Sequence, residues 1–587
     1  MARFSFLFAA IACLALLLSR PANLCAADPV ELEVTGVEGG AEKNVREALA
    51  LPPGIVRDGK VDRLWLERFA QHAGDKARLA LEPYGYYRAL VAVSVGEERG
   101  AYRLLVRITA GEPVRVSGVE VALAGSGAGE PQLARLVKHF PLVKGSVLLQ
   151  PEYERAKGRL KSSALALGYL DAEFTRHEIR IAPGAETARI ALTLETGERY
   201  YFDDVRIEGA PDYPEPYLRR FLAFKAGEVF SYAKLAETQL NFSNSERFKG
   251  VVVTPQKQQA EGLRVPVLVQ LSSAPRRTLR PGVGYGTDTG ARMSVRYRDL
   301  NLFHRGHDLD LNLYAAELLQ GFAARYTVPS ALDSKSSNVV QLNLQQEDIS
   351  TYQSRLAALE LDRNRTLGRG ELATAYLKLQ QENYTVGDQS SSSRLVLPGF
   401  RFSKEQFDNL VRPTLGYRYT LDLRGAHPYL GSDSGLVQFI AEGNALMPLP
   451  WRLSLHVRSR AGASLLADPL AELPPSIRFF AGGDQSVRGF SYQSLGPRDA
   501  SGHVVGGKNL LVGSVELERA LYKNWGVSVF HDAGNAFNDF ASVRLEQAVG
   551  VGLHYYTPVG GLNLSLAKRL GTTRSIYYLH FTVGFQL

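Results

Sequence analysis

Tyr577-Tyr578-Leu579-His580-Phe581-Thr582-Val583-Gly584-Phe585-Gln586-Leu587 alternates without a break. The odd positions Tyr577, Leu579, Phe581, Val583, Phe585 and Leu587 are all apolar. The even positions Tyr578, His580, Thr582, Gly584 and Gln586 are mostly polar or small. A strand with this period of two fits a wall that meets lipid outside and water inside. The split recurs upstream. Val549, Val551, Leu553 and Tyr555 oppose Ala548, Gly550, Gly552 and His554, and Leu562, Leu564 and Leu566 oppose Asn563, Ser565 and Ala567. Leu511, Gly513, Val515 and Leu517 oppose Leu510, Val512, Ser514, Glu516 and Glu518. One such strand also suits a soluble sandwich, so the weight lies in the series. Residues 274–587 leave about twenty residues per strand and loop for an all-β transmembrane barrel of about 16 antiparallel strands.

The start of the chain supports export. Arg3 precedes an apolar run, Phe4 to Leu18, and then a small, polar stretch to Ala27. Residues 1–27 read as a secretory signal peptide cleaved after Ala26 or Ala27. Both cysteines, Cys13 and Cys25, fall inside it. Lipid attachment at Cys25 is disfavoured, because Ala22-Asn23-Leu24 lacks a small residue next to the cysteine. The exported chain would then have no thiol for a disulfide or a nucleophile. Beyond residue 27 no apolar run reaches the ~18 residues of a membrane helix. An exported chain of this kind is either soluble or a closed barrel. The 68 basic and 60 acidic residues give a net charge of +8, or about +6 without Arg3 and Arg20. No basic stripe marks a nucleic-acid surface.

The first half repeats. Val30-Glu31-Leu32-Glu33-Val34-Thr35-Gly36-Val37 alternates like a strand, and Val114 to Val121 and Tyr201 to Gly209 echo it. Helical spacing follows each time, over Asp62–Ala73, Pro151–Leu167 and Tyr232–Ser245. Two further strands close each unit, near 87–95 and 102–108, 171–181 and 187–195, and 249–256 and 264–272. Three α+β units result, over 28–110, 111–198 and 199–273. Their β-α-α-β-β order resembles that of POTRA domains. Exposed sheet edges in such units can take an extended chain through backbone hydrogen bonds.

Enzyme motifs fail on inspection. Gly502 to Lys508 has phosphate-loop spacing, but Asn509 stands where Ser or Thr would hold magnesium. Gly431-Ser432-Asp433-Ser434-Gly435 has Asp where a nucleophile elbow needs Ser. The eleven histidines are scattered and no metal-ligand spacing occurs. Neither an enzyme, a cofactor nor a metal is expected.

Three stretches resemble the BamA/TamA superfamily of outer-membrane assembly proteins. Arg478-Phe479-Phe480-Ala481-Gly482-Gly483-Asp484-Gln485-Ser486-Val487-Arg488-Gly489-Phe490 is similar to its long-loop signature, with Phe490 replacing the commoner Tyr. Phe530-His531-Asp532-Ala533-Gly534 is similar to its F-x-D-x-G strand. Gly550 to Leu566 is similar to the hairpin that follows. Three POTRA-like units fit the TamA branch better than BamA, which has five, or two-partner transporters, which have two and a plug helix.

The resemblance implies that the loop enters the lumen and that Arg488 of Val487-Arg488-Gly489-Phe490 pairs with Asp532, with Glu516 as a lesser member. Parity agrees independently that Ser528, Phe530 and Asp532 face inward if Val527 and Val529 face lipid, and Gly534 completes the partner motif of Phe530 and Asp532. It also implies a lateral gate. Gly282, Gly284 and Gly286 would weaken the first strand, near Arg280 to Thr287, against Tyr577, Phe581 and Phe585 of the last. The alternative is that these glycines only accommodate curvature. The implied role is insertion of autotransporters and similar clients from the periplasm into the Gram-negative outer membrane. Unfolded outer-membrane proteins, outer-membrane lipids and a TamB-like inner-membrane-anchored protein would be its partners. A secretion channel for a soluble substrate, inter-membrane lipid transport and a passive porin-like barrel are the alternatives.

Overall fold

The computed structural model describes residues 30–57, 60–98, 101–182, 186–331, 333–409, 413–557, 560–571 and 575–584. The expected signal peptide, and Phe585 of the expected gate, lie outside them.

Three units open the chain. The first runs β1 (Val30–Thr35), α1 (Gly39–Ala48), a short hairpin of β2 (Val56–Arg57) and β3 (Lys60–Val61), α2 (Arg63–Leu81), β4 (Leu90–Glu98) and β5 (Ala101–Thr109). The second runs β6 (Arg115–Ala124), α3 (Pro131–Lys138), α4 (Gln150–Ala166), β7 (Glu173–Ala182) and β8 (Thr187–Glu195). The third runs β9 (Tyr201–Glu208), α5 (Glu215–Arg219), α6 (Tyr232–Ser243), β10 (Phe248–Pro255) and β11 (Arg264–Ser273). Each makes one three-stranded sheet, in the orders β1-β5-β4, β6-β8-β7 and β9-β11-β10. The outer first strand runs parallel to the central last strand, as a connection through two helices permits.

The helices form because an apolar stripe faces each sheet. In α2 the stripe is Leu66, Phe69, Ala73, Ala77, Ala80 and Leu81, packed with Val34, Leu104 and Val106. Asp62 caps the helix by accepting from the Trp65 N–H at 3.1 Å. Because the stripe continues past Ala73, the helix is two turns longer than the sequence reading. The strand expected from Tyr87 begins only at Leu90, after a turn in which Gly85 takes φ +90°. The third core is aromatic, with Phe202 stacked on Phe224 at 3.8 Å and tilted against Phe230 at 4.8 Å.

The units touch their neighbours through side chains. Gln150 donates to the Tyr87 hydroxyl at 2.8 Å, and the Tyr200 hydroxyl donates to Asp171 at 2.7 Å. Lys257 also meets Asp171. The third unit meets the barrel through Arg247–Asp308 at 2.5 Å and Arg298–Glu246 at 2.6 Å. Asn301 Nδ2 donates to the Asp212 carbonyl at 2.9 Å.

Sixteen antiparallel strands close the barrel. They are β12 (Arg277–Gly286), β13 (Gly290–Leu302), β14 (His307–Ala316), β15 (Leu319–Pro329), β16 (Ser336–Asp348), β17 (Tyr352–Gly368), β18 (Glu371–Val386) and β19 (Gln389–Phe407), followed by β20 (Gly416–Ala426), β21 (Leu436–Leu449), β22 (Leu453–Leu466), β23 (Asn509–Ala520), β24 (Trp525–Phe537), β25 (Glu546–Thr557), β26 (Gly560–Arg569) and β27 (Tyr577–Gly584). Among the described residues no helix is long and apolar enough to cross a membrane. Residues 467–508, between β22 and β23, form a long loop at the end opposite the three sheets.

The wall is uneven. The strands β17, β18 and β19 have 17, 16 and 19 residues, against 10 in β12 and 8 described residues in β27. Among the described residues pairing is sparsest where the barrel closes. Among the described residues β12 and β27 share two paired positions, Tyr285 with Val583 and Gly286 with Thr582. Every other neighbouring pair shares eight or more.

Candidate functional site

The long loop descends into the lumen. Its apolar side chains Phe479, Ala481, Val487 and Phe490 pack with Leu510, Val512, Ala536 and Ala548 of the wall. Its outer part is held by Arg478, which donates to the carbonyls of Leu473 (2.7 Å), Val505 (2.9 Å) and Ala471 (2.9 Å).

The alternation of β24 turns Ser528, Phe530, Asp532 and Gly534 inward. Arg488 meets Asp532 as a fork, with Nε at 2.7 Å from Oδ2 and Nη2 at 2.9 Å from Oδ1. The Arg488 backbone N–H also donates to Oδ2, at 3.0 Å. Arg488 Nη1 donates to Glu516 at 2.6 Å and Nη2 to Ser514 at 3.2 Å. The guanidinium lies 3.4 Å from the centre of the Phe530 ring. Asp532 has no exposed surface, so its charge depends on these donors. Gly534 has room for no side chain, because a Cβ would stand 2.8 Å from the Leu511 carbonyl oxygen of β23.

The network runs further than the residues singled out from the sequence. Glu516 also meets His554 Nε2 at 2.9 Å, and His554 Nδ1 faces Asn563 at 2.9 Å. Ser514, His554 and Asn563 lie on strands whose parity was legible, but no motif marks them.

Gly489 and Phe490 join the loop to the last two strands. The Gly489 N–H donates to His580 Nε2 at 2.8 Å, and its carbonyl accepts from Arg569 Nε at 2.6 Å. The Arg569 guanidinium lies 4.3 Å from the Phe490 ring and 4.7 Å from the Tyr578 ring. Sequence reasoning missed Arg569, since a lone arginine at a strand end carries no signal.

The gate residues divide by face. Gly282, Gly284 and Gly286 alternate with the more exposed Val283 and Tyr285. The Tyr285 and Phe581 rings lie 6.2 Å apart across the seam, while Tyr577 is exposed near the start of β27. The Thr287 N–H adds one hydrogen bond to the Phe581 carbonyl, at 3.0 Å. The structure thus brings the loop motif together with the F-x-D-x-G strand and Glu516, and it sets the glycine strand beside the last one.

Residues 283–587 match the model of the Omp85 superfamily domain. Residues 31–110 match the model of POTRA domain TamA domain 1, and residues 200–272 match a POTRA model described as a surface antigen variable number repeat. The outer membrane protein assembly factor BamA of Nitratidesulfovibrio vulgaris is 25% identical over 425 residues, covering 68% of this chain and 52% of that protein. BamA of Neorickettsia risticii is 21% identical over 412 residues, covering 65% of this chain and 54% of that protein. The chain therefore spans about half the length of the curated relatives it matches. Among solved structures, BamA from Haemophilus ducreyi lacking POTRA domains 1-3 superposes with a TM-score of 0.64 at 18% identity, over 80% of this chain and 99% of that one. CdiB from Escherichia coli superposes with a TM-score of 0.52 at 15% identity, over 94% of this chain and all of that one. At these identities the structural likeness shows the fold alone.

Proposed function

The chain belongs to the Omp85 superfamily of outer-membrane insertion and translocation proteins, and from that premise we propose that it inserts autotransporters and similar β-barrel clients into the Gram-negative outer membrane. The observation that carries this reading is the seam. Among the described residues β12 and β27 share two paired positions, fewer than any other neighbours in the wall. An unpaired strand edge templates another strand. A client strand added to that edge would keep its backbone hydrogen bonds satisfied while it enters lipid.

The three sheets would receive the client or a partner in the periplasm. Their free edges differ. The edge strand β7 carries Arg176, Glu178 and Arg180, and β10 is irregular at Phe248/Gly250 and ends at Pro255. Both features discourage pairing. The edge strand β4 opens Leu90-Val91-Ala92-Val93-Ser94-Val95 without a charge before Glu97 and Glu98 end it, and Leu90 is 73% exposed. In this reading β4 is where an extended segment docks. A TamB-like partner anchored in the inner membrane would supply that segment, and the match of residues 31–110 to a TamA POTRA model supports that branch. Lipid passage along the same arm is the extension of this reading.

The test is a disulfide across the seam, Tyr285→Cys with Val583→Cys, in a chain whose Cys13 and Cys25 are replaced. Reconstituted in liposomes, the oxidised protein is expected to insert a denatured autotransporter at least tenfold more slowly than the reduced one. Equal rates would sink the gate. Capture of a soluble substrate inside the liposomes, with no client folded in the membrane, would favour a secretion channel.

A further inference from the structure

Asp484 stands four residues before Arg488 in the long loop, and it touches both strands of the seam. Its backbone N–H donates to Asp288 Oδ2, in the turn after β12, at 2.6 Å. Its carboxylate accepts from Thr582 Oγ1 of β27 at 2.7 Å. The same carboxylate meets His580 Nδ1 of β27. The loop can come this close because Gly483 has no side chain. A Cβ there would stand 2.7 Å from Asp288 Oδ2, and the residue takes φ +103°.

Asp288, Asp484 and His580 gather their ligand atoms within 4.8 Å of one another. Two carboxylates and an imidazole suggest a cation site, but the hydrogen bonds argue otherwise. His580 Nε2 accepts from the Gly489 N–H, so its lone pair is used and the ring proton sits on Nδ1. That nitrogen has no lone pair for a metal. It faces Asp484 Oδ1, and neither atom has another hydrogen-bond partner. The cluster is built to hold protons.

Asp288 lies beside the pair, its Oδ1 4.0 Å from His580 Nδ1. Burial, and then the neighbouring Asp484 charge, push its carboxyl up to about 6, against the opposing pull of the Asp484 N–H and His580. The charged and titratable groups around the cluster are Asp484 and Tyr492 from the loop, His580 from β27, Arg292 from β13 and Arg458 from β22. Arg292 donates to the Val583 carbonyl at 3.4 Å, and Arg458 to the Asp484 carbonyl at 3.3 Å.

We propose that Asp484 is the bolt of the seam, a positioning residue through which the long loop clamps β12 to β27, and that the bolt loosens when Asp288 loses its proton. The proposal rests on the gate reading above. Its sign follows from linkage. In the closed seam Asp288 holds its proton more tightly than it would in water, so acid favours closure. The opening constant rises as pH climbs from the ordinary aspartate range near ~4 to about 6, then levels off. Between pH 5 and 7.5 the change is about tenfold.

Amide hydrogen exchange of β12 and β27 tests this, on the full protein in lipid nanodiscs. Rates are expressed as protection factors, which divide out the chemical dependence on pH. The seam is expected to be about tenfold less protected at pH 7.5 than at pH 5. Asp288→Asn should remove that dependence and stay protected at both values. Asp484→Ala should expose both strands at both. An unchanged pH dependence in Asp288→Asn, or wild-type protection in Asp484→Ala, would overturn the proposal. So would protection that follows added zinc or calcium and vanishes with a chelator. The seam disulfide keeps the two readings apart. If it blocks insertion while both variants exchange like the wild type, the gate stands and the bolt falls. If it leaves insertion untouched, the gate falls and the exchange data alone judge the bolt.

Discussion

Arg488 and Asp532, 44 residues apart in sequence, meet inside the barrel through a two-pronged contact that leaves Asp532 with no exposed surface. The loop arginine is thereby tied to the wall at β24.

Arg488→Ala strands a buried carboxylate. Breaking one side of such a pair costs about 3–5 kcal/mol. The expected result is a lower unfolding midpoint for the barrel, read as loss of its heat-dependent gel mobility, and a loop open to protease. Arg488→Lys keeps the charge but loses the fork and should fall in between. The Arg488→Ala/Asp532→Ala double variant should cost less than the sum of the two single changes. Strict additivity would show that the contact carries no coupling.

Arg247 and Asp308 fasten the third sheet to the barrel, and the Arg247 guanidinium also lies 5.6 Å from the Tyr217 ring. Asp308 is partly exposed, so Arg247→Ala should cost only about 2 kcal/mol locally. Spin labels on α6 and β14 should then report a broader distance distribution. An unchanged distribution would mean that Asn301 and Arg298 suffice to hold the joint.

Gly209 ends the first strand of the third unit at φ +85°, and a Cβ there would stand 1.9 Å from the Leu271 carbonyl oxygen. The Gly209→Ala change must break the turn or part β9 from β11. A loss of about 3 kcal/mol or more is expected, measured by urea unfolding of the protein followed through the third unit's tyrosines. A loss under about 1 kcal/mol would show that the turn relaxes freely.

The junction of the second and third units should respond to pH with the opposite sign to the seam. Lys257, and then the Tyr200 hydroxyl, hold the Asp171 carboxyl below its ordinary range. The contact is therefore intact above about pH 4 and is lost as acid protonates Asp171. Small-angle scattering should show an unchanged arm from pH 8 to 5 and a looser one below about 4, with Asp171→Asn loose throughout. High salt should mimic acid, because the pair is solvent-exposed.

The barrel was legible because lipid on one side and water on the other force a period of two, and β24 shows it in every inward residue from Ser528 to Ala536. The three units were legible because each repeats its first strand and its helix. The β-α-α-β-β order implied the short helices α3 and α5 but could not place them, since eight and five residues carry too little periodicity to read. Nor was the register at the seam legible. Register between strands about 300 residues apart is set by closure of the whole cylinder, and the glycines of β12 alone cannot reveal it. Asp288 and His580 sit at unremarkable positions in a turn and a strand, and only the descent of the loop brings them to Asp484. The branch within the superfamily also stays open to sequence. The first unit matches a TamA POTRA model, while BamA relatives match over 68% and 65% of the chain.

Gly489 gives its N–H to His580 of β27 and its carbonyl to Arg569 of β26, so the segment in the lumen is fastened to the side of the wall that parts if the seam is a gate. Sideways opening and unplugging then become one event. A barrel stitched in this way would turn leaky whenever its wall yielded. Permeability to small antibiotics would report from outside the cell on how often that wall opens.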